Sequence, residues 1–83
     1  MRYLTYYTPD RQRIDINNSW LGEEKIYYNG ELVSRNTSLF GSMHEFRVRE
    51  NDEEIQYLIS IELKWPLRIG LDIFRNGKAL LLS

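Results

Sequence analysis

His44 is the one histidine in the chain, so a nucleophile–base pair, an imidazole-ligated metal or a neutral-pH proton relay would all depend on it. Its sequence neighbour Glu45 is the kind of carboxylate that orients a catalytic ring. The stretch His44-Glu45-Phe46-Arg47-Val48-Arg49 alternates polar and apolar, however, and adjacent side chains on a strand leave opposite faces. Glu45 is on the wrong side, and His44 reads as an ordinary surface or hydrogen-bonded histidine. Glu50, Asp52, Glu53 and Glu54 form an acidic run that could suggest calcium. A calcium loop needs oxygen ligands at fixed offsets and a glycine for its sharp turn, and this run has neither. It reads as a solvated hairpin tip whose charge discourages edge aggregation. Among 12 carboxylates some pair always exists, but glycoside chemistry also needs a cleft holding two at a set separation. The five glycines are dispersed, with no phosphate-cradling run before a helix, and no serine sits in a nucleophile elbow. No catalytic residue, metal ligand or cofactor site is expected, and the chain reads as a non-enzyme.

Composition narrows the partners. Eleven basic residues against 12 acidic leave a net charge of −1, which argues against affinity built on neutralising phosphates and against a polybasic membrane anchor. Six of the aromatics are Tyr and most of the cations are Arg. A Tyr/Arg sheet face could stack on single-stranded nucleic acid or a small ligand, and this is the alternative reading. The competing use of those rings is the core and cross-strand pairs of a small β-domain. The absence of Cys excludes disulfides, thiolate metal sites and cysteine nucleophiles, and leans towards a reducing, cytoplasmic setting. No apolar run is long enough for a membrane span, and no signal-peptide pattern opens the chain.

The elements that would position any site are strands. Asn29-Gly30 lies between Ile26-Tyr27-Tyr28 and Leu32-Val33; Asn76-Gly77 lies between Leu71-Asp72-Ile73-Phe74 and Ala79-Leu80-Leu81. Asn-Gly between such segments predicts a type I′ hairpin, whose two central residues both need positive φ. Tyr27-Tyr28-Asn29-Gly30-Glu31-Leu32-Val33 echoes Phe74-Arg75-Asn76-Gly77-Lys78-Ala79-Leu80, so two similar hairpins are expected, with no repeat in the segment between. A third hairpin joins His44–Arg49 to a long strand in which Ile55, Tyr57, Ile59, Ile61 and Leu63 alternate with mostly polar residues, Leu58 excepted. The connection Glu50–Glu54 is polar, and a β-branched residue at Asn51 should be tolerated there. Trp65-Pro66 should end or bulge the strand, after which Leu67, Ile69, Leu71 and Ile73 resume the alternation. Near the start, Tyr3–Thr8 and Gln12–Ile16 flank a Pro9-Asp10-Arg11 turn. Asn17–Gly22 is expected as a loop with Trp20 folded inward, and Ser38–Ser42 as another loop. The whole predicts a single all-β domain over residues 1–83: an antiparallel sandwich or partly open barrel of about seven to eight short strands.

The run from Lys25 to Leu82 is similar to small bacterial β-domains and, more distantly, to the β-sandwich repeats of the Fas apoptosis inhibitory molecule. The likeness rests on the Ile26-Tyr27-Tyr28-Asn29-Gly30 hairpin, Phe40-Gly41-x-x-His44-x-Phe46-x-Val48, the long alternating strand and Phe74-Arg75-Asn76-Gly77. It implies a compact antiparallel sandwich acting through protein contacts, and it carries over no site residue. The C-terminal hairpin supplies the candidate surface. Leu71, Phe74, Leu80 and Leu82, with Trp65 beside them, make it apolar on both parities, whereas a strand with one wet face should alternate. A protein partner or a second copy of the chain is expected to cover it.

Overall fold

The computed structural model describes residues 2–19, 22–38, 41–64 and 68–82. Every regular element in it is a strand: β1 (Arg2–Tyr7), β2 (Arg13–Asn18), β3 (Glu23–Tyr28), β4 (Glu31–Thr37), β5 (Gly41–Glu50), β6 (Glu53–Lys64), β7 (Arg68–Arg75) and β8 (Lys78–Leu81). The chain divides into two compact units, Met1–Leu39 and Phe40–Ser83. Each is a four-stranded antiparallel meander, in orders β1-β2-β3-β4 and β5-β6-β7-β8. The all-β, hairpin-built expectation holds. Each of the two sheets is open and does not close on itself into a barrel.

The turns follow from backbone chemistry. Thr8, Pro9, Asp10 and Arg11 close a turn in which the Arg11 N–H donates to the Thr8 carbonyl at 2.8 Å, with Pro at the first central position, where its fixed φ fits. Asn29 and Asn76 have φ of 50° and 49°, and Gly30 and Gly77 have φ of 89° and 80°, as type I′ hairpins require. The β5–β6 connection is shorter than its composition suggests. Glu50 pairs with Glu53, so only Asn51 and Asp52 turn, both at positive φ (51° and 64°). Asn51 is thus a constrained turn residue and not a tolerant loop position. Two loop expectations also shorten: Asn17 and Asn18 complete β2, and Gly41 and Ser42 begin β5. Trp20 and Trp65-Pro66 lie outside the described residues.

The likeness between the Asn-Gly hairpins extends to the register of the two preceding strands. In the first, Tyr28 pairs with Glu31 and Tyr27 with Leu32; Val33 is then extra, and Ile26 pairs with Ser34. In the second, Arg75 pairs with Lys78 and Phe74 with Ala79; Leu80 is extra, and Ile73 pairs with Leu81. Each turn docks on the preceding strand in the same way. The Asn29 N–H donates to the Arg13 carbonyl, and Asn29 Oδ1 accepts the Arg13 N–H, both at 2.8 Å. Asn76 does the same with Gln56, at 2.8 and 2.9 Å. Carrying the register onward matches Ile14, Asp15 and Ile16 on β2 to Tyr57, Leu58 and Ile59 on β6. On the outermost strands it matches Thr5, Tyr6 and Tyr7 to Glu45, Phe46 and Arg47. The strand register repeats where the intervening sequence does not, although β5 and β6 run longer than β1 and β2.

One parity of each meander is buried: Ile14, Ile16, Ile26 and Tyr28 in the first, and Phe46, Ile55, Tyr57, Ile59, Ile61, Leu71 and Ile73 in the second. At about 2 kcal/mol for each large apolar side chain removed from water, these rows hold the strands in register. Phe46 and Tyr57, directly paired, stack with ring centroids 5.3 Å apart.

Candidate interaction surface

The face opposite the buried row is where the meanders diverge. In the second, Leu58 on β6 pairs with Phe74 on β7, which pairs with Ala79 on β8. Leu58 and Phe74 are half-buried, and with Gln56 and Gly77 they line a shallow depression of about 230 Å³. Gly77 contributes by lacking a side chain: a Cβ there would meet no atom within 4 Å. In the first meander the matching positions are Asp15, Tyr27 and Leu32. There the Asp15 carboxylate accepts the Thr5 hydroxyl at 2.7 Å and faces Arg13 Nε at 3.0 Å, so an internally paired carboxylate stands in the place of Leu58, beside half-buried Tyr27 and exposed Leu32.

Phe74, expected at the partner surface, lines this depression. Leu82 is 65% exposed, and Leu80 is half-buried at the β8 bulge. Leu71 is buried on the opposite parity, at 7% exposure, where it pairs with Ile61 and serves the core. Trp65 lies outside the described residues. The bulge explains why parity misleads in this hairpin: the extra residue at Leu80 resets the alternation, so Leu81 returns to the level of buried Ile73. Leu58, absent from the expected surface, carried its own signal as the apolar exception among the polar residues of β6.

Comparison with known proteins gives no matching family model, curated relative or solved structure.

The strongest polar cluster lies at the turn end of the second meander. Glu50 is buried, accepts the Tyr57 hydroxyl at 2.6 Å, and accepts Arg75 Nη2 and Nε at 2.9 and 3.2 Å. Burial pushes the Tyr57 phenol well above its ordinary value, and the Glu50 carboxylate adds to the shift. Hydrogen bonding to Glu50 raises the Arg75 guanidinium in turn. The acidic run was expected to be wholly solvated. Asp52, Glu53 and Glu54 are exposed, but Glu50 is structural, because the two-residue turn leaves it on the buried parity of β5. Sequence reading missed this: Glu50, Tyr57 and Arg75 lie on three strands and meet only once the register is known.

His44 is likewise buried, at 1% exposure, rather than at the surface, with Nε2 3.1 Å from the Ser42 hydroxyl two residues away on its own strand. Glu45 is exposed on the other face, as the alternation requires. Among the described residues no group of three or more His, Asp or Glu side chains is placed to hold a metal, and no helix is long and apolar enough to cross a membrane. A second depression of about 210 Å³ lies in the first meander, lined by Asn17, Asn18, Ser19, Glu23, Lys25 and Tyr27. Its character is polar, with Glu23 paired to Lys25 at 3.4 Å and to Arg35 at 3.7 Å.

Proposed function

We propose that this chain is a non-enzymatic protein-interaction module that takes an apolar side chain of a protein partner into the depression around Leu58 and Phe74. The supporting observation is the contrast at one matched position: two meanders share a register, and where the first holds the paired Asp15 carboxylate the second holds Leu58, which with Phe74 lines an apolar depression on the face away from the buried row. At about 230 Å³ the depression is smaller than the roughly 300–1,000 Å³ of ordinary small-molecule and cofactor sites, and suits a single inserted side chain. Leu82, exposed beyond β8, extends the apolar character of the same hairpin. For a Tyr/Arg stacking platform, Tyr28 and Tyr57 are unfavourably placed, because both rings are buried.

Matched positions also supply the control. A photo-crosslinking amino acid at position 58 should capture a defined protein from the native host, and the same group at position 15 should not. Titration of labelled protein with N-acetyl-leucinamide and N-acetyl-phenylalaninamide should shift the backbone resonances of Gln56, Leu58, Phe74 and Gly77, and Leu58→Lys should abolish those shifts. Equal capture from both positions, or resonance shifts scattered over both meanders, would refute the assignment.

A further inference from the structure

Each sheet ends in two edge strands, and three of the four are interrupted. The register slips between Arg2 and Leu4 on β1, at Val33 on β4 and at Leu80 on β8. Bulges of this kind spoil an edge as a template for another strand. The fourth edge, β5, runs for ten residues in unbroken register with β6.

The direction of its outer hydrogen-bonding groups can be derived. The N–H and C=O of Gln56 bond to Asn76 and so face β7. Peptide groups alternate sides along a strand, so those of Tyr57 and Ile59 face β5 and exchange ladder bonds with their partners Phe46 and His44. The N–H and C=O of Glu45, Arg47 and Arg49 therefore point away from β6, along the edge. The side chains of all three are exposed.

We propose that two copies of this chain associate by pairing β5 with β5, antiparallel, about a two-fold axis through Phe46, which joins their second meanders into one eight-stranded sheet. In that register Glu45 lies directly opposite the second copy's Arg47, and Arg47 opposite its Glu45. Both are hydrogen-bonding positions, so these two residues alone contribute four backbone bonds and two opposite-charge cross-strand pairs. Phe46 faces its own counterpart across the axis on the buried parity. The charges also select the register. Centring the axis one residue earlier sets Glu45 against Glu45; one residue later brings Glu45 opposite the second copy's Arg49 but sets Arg47 against Arg47, so the axis at Phe46 is the one of the three that makes two opposite-charge pairs and no like-charge pair. Edge charges usually block pairing; here alternate signs two residues apart make the edge complementary to itself. This contact adjoins the Leu58–Phe74 depression, since Glu45 pairs with Leu58 across β5 and β6, and it would place two such depressions on one face of the joined sheet.

Sedimentation velocity from about 10 µM to about 1 mM covers the affinities expected of a small, polar edge contact. The parent should pass from monomer to dimer. Glu45→Arg and Arg47→Glu should each raise the dimer dissociation constant about tenfold or more, since each turns two attractions into repulsions. The double reversal, Glu45→Arg with Arg47→Glu, should bring it back to within about threefold of the parent. Glu45→Pro, which removes an outward donor and no ladder bond, should abolish dimerisation while the circular dichroism spectrum stays that of the parent, and it decides the matter should a reversal variant fail to fold. Phe74→Ala, on β7 and one strand removed from the Glu45 and Arg47 side chains, should leave the dimer intact, which keeps this outcome distinct from failure of the proposed partner site. A parent that stays monomeric throughout, single reversals without effect, a double reversal that does not recover, or a folded Glu45→Pro variant that still dimerises would overturn the pairing.

Discussion

Where the first meander sets Ile14 against Tyr28, the second sets Tyr57 against Arg75 and adds the Glu50 carboxylate. Where the first sets Asp15 against Tyr27, the second sets Leu58 against Phe74. At these two matched positions of β2 and β6, polar and apolar side chains have changed places within one register. Register depends on turn geometry and on which parity is buried. Both meanders meet those demands with Ile16 against Ile26 or Ile59 against Ile73, and with an Asn-Gly turn docked on the neighbouring strand. The remaining positions can diverge without moving a strand, and divergence on the open face is where an interaction surface can arise.

The largest expected effect tests the polar half of that exchange. Glu50→Ala should cost about 2–4 kcal/mol in urea or thermal unfolding, somewhat below a fully buried pair because the Arg75 side chain keeps 30% exposure. Replacing the whole set with apolar chemistry borrowed from the other meander (Glu50→Leu, Tyr57→Ile and Arg75→Tyr) should cost less than Glu50→Ala alone, since no charge is left unpaired. A triple variant less stable than the single would show that the network, and not the burial, defines this end of the sheet. The same cluster has a pH signature. Tyr57 titrates above its ordinary value of about 10, so above about pH 10 the unfolded chain gives up a proton that the native state keeps. Stability from this group is complete below that pH and declines as pH rises through the folded value. Tyr57→Phe should make the alkaline limb of the stability curve shallower, and an unchanged limb would count against a buried, hydrogen-bonded phenol.

Next in size is Gly41, which begins β5 at φ 114°; a Cβ there would run into the Ile61 carbonyl oxygen. Gly41→Ala should cost about 2 kcal/mol or more, because the obstacle is backbone and cannot swing aside. Gly77→Ala has open space and should cost only about 1 kcal/mol, from its positive φ. Chemical denaturation separates the two, and equal losses would mean that steric overlap at Gly41 is relieved by a backbone shift.

The turns come third, and they show how much of the fold is legible in the sequence. Gly30→Val, Gly77→Val and Asn51→Val should each lose about 1–2 kcal/mol, since a β-branched residue resists positive φ. The two Asn-Gly turns were legible because their chemistry is local: residue types that tolerate the left-handed region sit between alternating segments. Asn51 was not, because a run of five polar residues does not say where a two-residue turn falls within it. The strands and core rows of β6 and β7 were legible for the same local reason. The bulge at Leu80, the burial of Glu50 and His44, and the extent of the repeat were not, because each depends on which strand lies beside which. The apolar surface was legible in part: Phe74 stood out in its hairpin, while its neighbour Leu58 is 16 residues away in sequence and becomes adjacent only through the β6–β7 register.

The smallest effect closes a comparison between two Arg–Glu pairs described in the second meander. Arg47 Nη1 lies 3.3 Å from Glu54 Oε1, much as Arg75 Nη2 lies 2.9 Å from Glu50, but the Arg47 and Glu54 side chains are 63% and 59% exposed. Water and salt screen such a pair, and holding two long side chains together costs rotamer entropy, so a double-mutant cycle with Arg47→Ala and Glu54→Ala should give a coupling of about 0.2–0.5 kcal/mol. Raising the salt to about 1 M, where charges interact over only about 3 Å, should erase it. The Glu50 penalty should survive that salt, because its carboxylate is shielded from solvent and its bond to Tyr57 is not an ion pair. The cycle must be run well below any concentration at which chains associate, since Arg47 also lies in the proposed β5 contact. A coupling above about 1 kcal/mol, or one indifferent to salt, would mean that the open face around Arg47 is less solvated than its exposure implies.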